Sequence, residues 1–229
     1  MKKILVLYGD IWHPVEVVHK GLSYLTEFYD DMEFMEDAKD MLTAADLKQY
    51  DLIINCKGNN LTSGNKCSWF DAGVNEATPA DFREYVENGG GFLSVHAGNS
   101  FFETGEGAQV DAPAREYIDF VGCRFVTHPA RCPVNYQVLP VPHPVTEGVS
   151  DFIVRDEHYQ IEMTAEDALI LMTSSSADGA DMPAAYVREI GQGRLCSLMP
   201  GHILEVWKNP QFQKLLSNAI KWCIKKNYL

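Results

Sequence analysis

The stretch Gly89-Gly90-Gly91-Phe92-Leu93-Ser94-Val95-His96-Ala97-Gly98-Asn99 restricts the fold of this chain more than any other. Phe92 to Val95 is a short apolar run bounded by glycines, the pattern of a parallel strand covered on both faces. His96 stands where the run stops, and the small residues Ala97 and Gly98 follow at once. Small neighbours let a strand turn sharply and hold one side chain above the carboxyl edge of a sheet. Enzymes with a Ser or Cys nucleophile build the same corner. Here the expected exposed tip is an imidazole, which can act as base, acid or metal ligand. It is a poor stand-in for the thiolate of an acyl-transfer enzyme.

The chain before this corner alternates between strand and helix. Lys3 to Tyr8 reads as a buried strand with Gly9-Asp10 as its turn. Pro14 suits a first helical turn, and Val15, Val18, Leu22, Leu25 and Phe28 continue at helical spacing to about Tyr29. Met32 to Met35 is a second strand. Thr43 caps a short helix over Ala44 to Lys48, and Asp51 to Asn55 is a third strand. This order predicts a parallel sheet with helices on both faces. Residues 57–78 interrupt it with Gly, Asn and Ser around Cys67, Trp69 and Phe70, and are expected to form a folded loop over the sheet edge. Thr78 and Pro79 then open a helix whose inner face is Phe82, Tyr85 and Val86.

Beyond the corner, a polar loop over 99–110 leads to a helix from about Pro113 to Val121, ended by Gly122. Cys123 to Thr127 is a strand closed by His128-Pro129. The alternation from Pro133 to Val141 suggests a strand with one wet face, so the sheet is expected to be mixed there. Phe152 to Val154 is apolar, and residues 155–160 are dense in polar function. Later strands are expected at 168–172, 184–190 and 194–199, with a hairpin turn at Gly191-Gln192-Gly193. Pro210 to Lys226 is a helix with Phe212, Leu215, Leu216, Ile220 and Trp222 on its apolar side.

Charge and cysteine usage narrow the function classes. With 19 basic against 32 acidic residues the net charge is −13. Neither nucleic acid nor an anionic membrane is the expected partner, since both require clustered Lys and Arg. The six cysteines (Cys56, Cys67, Cys123, Cys132, Cys196, Cys223) include no Cys-x-x-Cys pair. They read as reduced core thiols of a cytoplasmic protein. The N-terminal apolar run is too short for a secretory signal, and no stretch approaches the roughly 20 apolar residues of a membrane span. No Gly-x-Gly-x-x-Gly or phosphate-loop motif is present, so no nucleotide cofactor is expected. Gly89-Gly90-Gly91 precedes a strand and offers no helix N-terminus to an anion. The length of 229 residues fits a single domain over 1–229 and leaves monomer or homo-oligomer open.

In open α/β sheets ligands sit outside the carboxyl ends of the strands. His13, His96, His128 and His202 all fall at such ends, and Glu157 and His158 lie just past an apolar run. A histidine beside a proline (His13, His128, His143) reads first as a cap on a strand or turn. His96 and His202 end buried strands near a glycine and read first as functional. Two chemistries fit. In one, imidazoles and Glu157 coordinate a divalent metal, zinc by preference, with His13 and His128 among the ligands. In the other, His96 is a general base or acid oriented by Glu157 or His202. In both, His96, Glu157 and His202 are the catalytic candidates. Either chemistry suits elimination, isomerisation or hydrolysis of a neutral, polyol-like substrate. Trp12, Trp69, Phe101, Phe102 and Tyr159 could stack on sugar rings or belong to the core. Trp12, Asn99 and Tyr159 are the candidate substrate contacts.

Several segments together resemble the ThuA-like (trehalose-utilisation) family. They are strand one with His13, Gly89 to His96, Phe120 to Phe125 leading to His128-Pro129, His143 to Thr146, Asp156 to Tyr159, and Gly193-Arg194-Leu195 through Gly201-His202. The resemblance implies a three-layer α/β/α, flavodoxin-like domain of the class I glutamine amidotransferase type. Its sheet would be mostly parallel with some antiparallel strands, and its site would lie at the His96 corner. It also implies carbohydrate metabolism, on trehalose-related glucosides or their keto forms, with metal bound in some members. The amidotransferase relatives need Cys at the corner and a late His-x-Glu pair. Here the corner is His96, and His202-Ile203-Leu204-Glu205 is one residue too long, so glutaminase activity is not expected. The expected protein is a lyase, isomerase or hydrolase acting on a small carbohydrate. A non-catalytic sugar-binding or regulatory module, or an amidotransferase-like partner subunit, are the alternatives.

Overall fold

The computed structural model describes residues 2–36, 42–58, 70, 76–101 and 112–224. Strand and helix alternate as far as β5: β1 (Ile4–Tyr8), α1 (Val15–Leu22), β2 (Met32–Glu36), α2 (Ala44–Leu47), β3 (Leu52–Asn55), α3 (Pro79–Glu87), β4 (Gly91–Val95), α4 (Ala112–Val121) and β5 (Cys123–Thr127). Strands then dominate: β6 (Cys132–Val138), β7 (Phe152–Asp156), β8 (Gln160–Met163), β9 (Leu169–Ser176), β10 (Gly179–Ile190) and β11 (Gly193–Leu198). Two helices, α5 (Leu204–Lys208) and α6 (Pro210–Cys223), close the described chain.

Every residue of β1, β3 and β4 is buried, as central parallel strands require. Alternate side chains point to opposite faces. Ile4 and Val6 join a core with Leu22, Trp207 and Phe212, whereas Leu5 and Leu7 join one with Phe82, Val86 and Tyr117. Helices α1, α5 and α6 therefore cover one face, and α3 and α4 the other. Thr78 and Asp81 form a reciprocal capping box at the start of α3: Asp81 N–H donates to Thr78 Oγ1 at 3.3 Å, and Thr78 N–H to Asp81 Oδ2 at 2.7 Å. Gly89, at φ +103°, lets the chain leave α3. A side chain at Gly91 would collide with the Cys223 carbonyl, which explains the glycine that opens β4.

The nine-stranded sheet runs β2-β1-β3-β4-β11-β10-β9-β6-β7. Neighbours from β2 to β11 are parallel. From β11 to β7 they are antiparallel. The expectation of a mostly parallel sheet is thus corrected: only one side of this mixed α/β sheet is parallel. A parallel pair needs a crossover of a dozen or more residues, about the length of a helix. Gly191-Gln192 is far too short for one, so β10 and β11 can only pair antiparallel. Strands β5 and β8 form a separate antiparallel ribbon.

Several boundaries differ from expectation. Helix α1 stops at Leu22, yet Leu25 and Phe28 remain buried in a non-helical segment, so burial there does not imply helix. Pro14 occupies the extended cap position instead of the first turn. Strand β8 starts at the last residue of the polar stretch after β7, β10 begins five residues early, and α5 was not legible because it is a single short turn-and-a-half. Cys67, Trp69 and Phe102, and most of the two expected loops, lie outside the described residues. Phe70 is described, with its ring 6.2 Å from Phe101 and 5.9 Å from Tyr117. The five described cysteines are free, and burial pushes the Cys123 thiol up to about 12. Among the described residues no helix is long and apolar enough to cross a membrane.

Candidate functional site

The parallel strands bring their carboxyl ends to one edge, and the site is built there from turns. After β1 the chain bends around Asp10, whose buried carboxylate accepts the backbone N–H of Trp12 (2.8 Å), His13 (2.9 Å) and Gly58 (2.8 Å). His13 Nδ1 donates to the same group at 2.7 Å. Burial by itself would raise the Asp10 carboxyl, but the His13 hydrogen bond and charge and the backbone donors hold it below the usual range. With Nδ1 engaged, His13 presents Nε2, which lies 3.3 Å from the Tyr159 hydroxyl.

His96 follows β4 at φ +45°, the one positive φ outside glycine among the described residues. A side chain at such an angle is strained and persists where its surroundings over-determine it. Its Nδ1–H donates to the Met199 carbonyl at 2.8 Å. The Tyr159 ring stacks on it, with centroids 4.2 Å apart. The expected exposed tip is corrected: the residue is only 2% exposed, because Tyr159 lies across it. Burial disfavours the imidazolium and lowers its pKa, so the ring is neutral near pH 7. Its Nε2 faces Glu157 Oε2 at 3.5 Å without a hydrogen bond.

Asp156, at the end of β7, joins two distant segments. Its fully buried carboxylate accepts from Tyr136 Oη (3.0 Å), Gly201 N (2.9 Å) and His202 N (3.0 Å). That ties the turn after β11 to the end of β7 and sets His202 beside Glu157. Glu157 Oε2 is 3.1 Å from His202 Nδ1 and 3.7 Å from His128 Nε2. Burial would raise the Glu157 carboxyl, but the close approach of the His202 and His96 rings outweighs it and holds the group well below the ordinary range.

One ligand atom each from His13, His96, Glu157 and His202 lie within 4.8 Å of one another. His96 Nε2 and His202 Nδ1 are buried and lack hydrogen-bond partners. The Asp10 carboxylate and the Met199 carbonyl fix the tautomers of His13 and His96, as outer partners of metal-bound imidazoles do. Imidazole nitrogens around one carboxylate are a donor set suited to a divalent first-row ion. A cavity of about 490 Å³ opens over this group, and its wall includes Trp12, Ser100, Phe125, His128, Arg131 and Tyr159.

The sequence model of the ThuA family, described as trehalose utilisation, matches residues 3–223. The chain belongs to the ThuA family. A ThuA-like protein from Bacteroides uniformis superposes with a TM-score of 0.70 at 22% identity, over 99% of this chain and 93% of that one. One from Parabacteroides merdae gives 0.68 at 20% identity, over 98% and 90%. A cytoplasmic protein from Salmonella typhimurium gives 0.64 at 18% identity, over 99% and 100%. At these identities the likeness shows a shared fold. No curated protein sequence matches the chain.

In this ThuA-family chain the predicted residues do not all reach the site. His13, His96, Glu157 and His202 converge. His128 lies outside that quartet: it stands at the cavity wall, with Nδ1–H donating to the Pro129 carbonyl at 2.8 Å. Tyr159 and Trp12 line the cavity, the latter 63% exposed. The expected substrate contact from Asn99 is corrected. Its amide donates to the Leu198 carbonyl (3.0 Å) and accepts from Ser197 Oγ (2.7 Å), which pins the corner to β11. Phe101 is core, stacked on Tyr117. His143 caps a short turn and packs against Trp222. His158 is held between Ser174 and Ser176. Sequence reasoning missed Asp10 and Asp156 as supports, and Phe125 and Arg131 as wall residues. Asp10 carried a usable signal, an acid three residues before His13 in one turn.

Proposed function

We propose that the cavity is the active site of an enzyme acting on a sugar or keto-sugar related to trehalose, with His13, His96, Glu157 and His202 holding a divalent ion of the zinc class. One observation carries this reading: two buried imidazole nitrogens, His96 Nε2 and His202 Nδ1, face the same Glu157 oxygen with no hydrogen bond to satisfy them. Unmet buried polar atoms are costly, and a cation among them removes the cost. Bound there, the ion would polarise a substrate oxygen or acidify a bound water. Because these four residues supply the ligands, an open position requires five- or six-fold coordination.

The remaining residues have separable tasks. Trp12 offers an exposed ring face at the cavity wall for a pyranose to stack on. Burial keeps the Tyr159 hydroxyl protonated, so it stays a donor beside His13 Nε2. His128 is the more exposed imidazole of the group, with Nε2 toward Glu157. It can take or return a proton there during isomerisation, elimination or hydrolysis. Amidotransferase chemistry is no part of this reading, because the corner holds His96 instead of a thiol. The three-layer, flavodoxin-like description is part of it, supported by buried cores on both faces of the sheet. So is a cytoplasmic setting, supported by the free cysteines and the Salmonella neighbour.

Elemental analysis of the purified chain, paired with His202→Ala, tests the proposal. About one ion per chain, lost in the variant, is expected, together with a raised melting temperature in disaccharides or keto-sugars. A metal-free protein that still binds sugar would instead favour the non-catalytic sugar-binding module.

A further inference from the structure

Most charged or hydrogen-bonding groups around the cavity are already engaged. The backbone N–H groups of Trp12, His13 and Gly58 are held by Asp10. Those of Gly201 and His202 are held by Asp156. Glu157 is turned toward three imidazoles. Arg131 differs. It is the cationic side chain of the cavity wall, it is exposed, and it makes no hydrogen bond or ion pair among the described residues. Arg124, Arg188 and Arg194 each pair with a carboxylate in this strongly acidic chain.

Resting on the sugar-cavity reading, we propose that the ligand this cavity takes is a sugar acid, whose carboxylate is bound by Arg131 while its ring lies against Trp12. The planar guanidinium matches a carboxylate with two parallel hydrogen bonds. A phosphate monoester is less well served, because phosphate sites recruit several free backbone N–H groups. The five named above are committed to Asp10 and Asp156. A chain with net charge −13 repels anions at long range. Selection for an acid must therefore be made locally, by a cation placed at the wall. Arg131 follows His128 by three residues on the loop between β5 and β6, so one loop carries both the acid-reading group and an imidazole facing Glu157.

The test compares methyl α-D-glucuronide with methyl α-D-glucoside, which differ in the oxidation state of one carbon. Calorimetric titration uses the protein as purified, with glucose 6-phosphate as a third probe. The glucuronide is expected to bind about tenfold tighter than the glucoside, the yield of one partly exposed charge-assisted contact. Arg131→Gln should bring that ratio to about one, and Arg131→Lys should keep part of it. The preference should also shrink as salt is raised. Equal binding of the two glycosides, or a preference that survives Arg131→Gln, would overturn the inference and leave the sugar cavity standing. Tighter binding of the phosphate than of the glucuronide would overturn the choice of carboxylate. Failure of all three probes to bind would remove the sugar reading itself, and this inference with it.

Discussion

His96 and His158 are equally hidden, with 2% and 1% of their surface exposed, yet they use their ring nitrogens in opposite ways. Both nitrogens of His158 lie against serine hydroxyls, Ser176 at 2.8 Å and Ser174 at 3.1 Å. His96 satisfies Nδ1 on the Met199 carbonyl and leaves Nε2 facing Glu157 without a hydrogen bond. The backbone differs as well: His96 adopts φ +45°, while His158 is not among the positive-φ residues. Burial therefore does not set apart the imidazole proposed as a ligand. What sets it apart is hydrogen-bonding capacity left unmet.

The sharpest way to break this contrast is to remove each ring in turn. His96→Ala should lower metal affinity by more than about a hundredfold, since it deletes a ligand where loss of an outer partner alone costs ten- to a hundredfold. His158→Ala should leave about one ion per chain, measured by elemental analysis after dialysis. Metal loss of similar size in both variants would erase the distinction. A step smaller, Asp10→Asn keeps acceptors for the backbone but weakens the hold on His13. It should reduce metal affinity about ten- to a hundredfold, read by competition with a chelating dye.

His158→Ala should show itself in stability instead. Leaving Ser174 and Ser176 without their partner costs about 2 kcal/mol, measured by urea unfolding. Acid dependence is the smallest effect. Burial lowers the pKa of both rings from the ordinary 6.5, so the unfolded chain protonates where the fold does not. Stability of metal-free protein should be full above pH 6.5 and fall as the pH drops below it. Asn at either position should flatten that slope. Asp10 and Glu157, held below their ordinary values, add a further loss only as the pH falls below about 4.

Local chemistry made much of the fold legible. The capping pair Thr78 and Asp81, the glycines around β4 and the apolar runs of β1 and β3 each report on a few neighbouring residues, and each element formed where expected. Strand β8 was hidden because its polar residues are stabilised by pairing with β5, which is distant in sequence. The antiparallel part of the sheet was visible in the tight Gly191-Gln192 turn and in the alternation from Pro133 to Val141, but the strand order β10-β9-β6-β7 was not. At the site, His96, Glu157 and His202 were named from strand ends. Asn99 stood in the same corner and proved to be a brace, since the direction of its amide depends on β11.

By itself, then, the amino-acid order determined that a buried strand ends in an imidazole, and that other imidazoles follow other strands. Periodicity and small residues suffice for that, because they act over a few positions. Only the tertiary structure decided which rings meet. Asp10 orients His13, and Asp156 draws the turn after β11 against β7 so that His202 faces Glu157. Those contacts join residues up to 46 positions apart, and the direction of a buried polar contact is set by packing that no local pattern encodes.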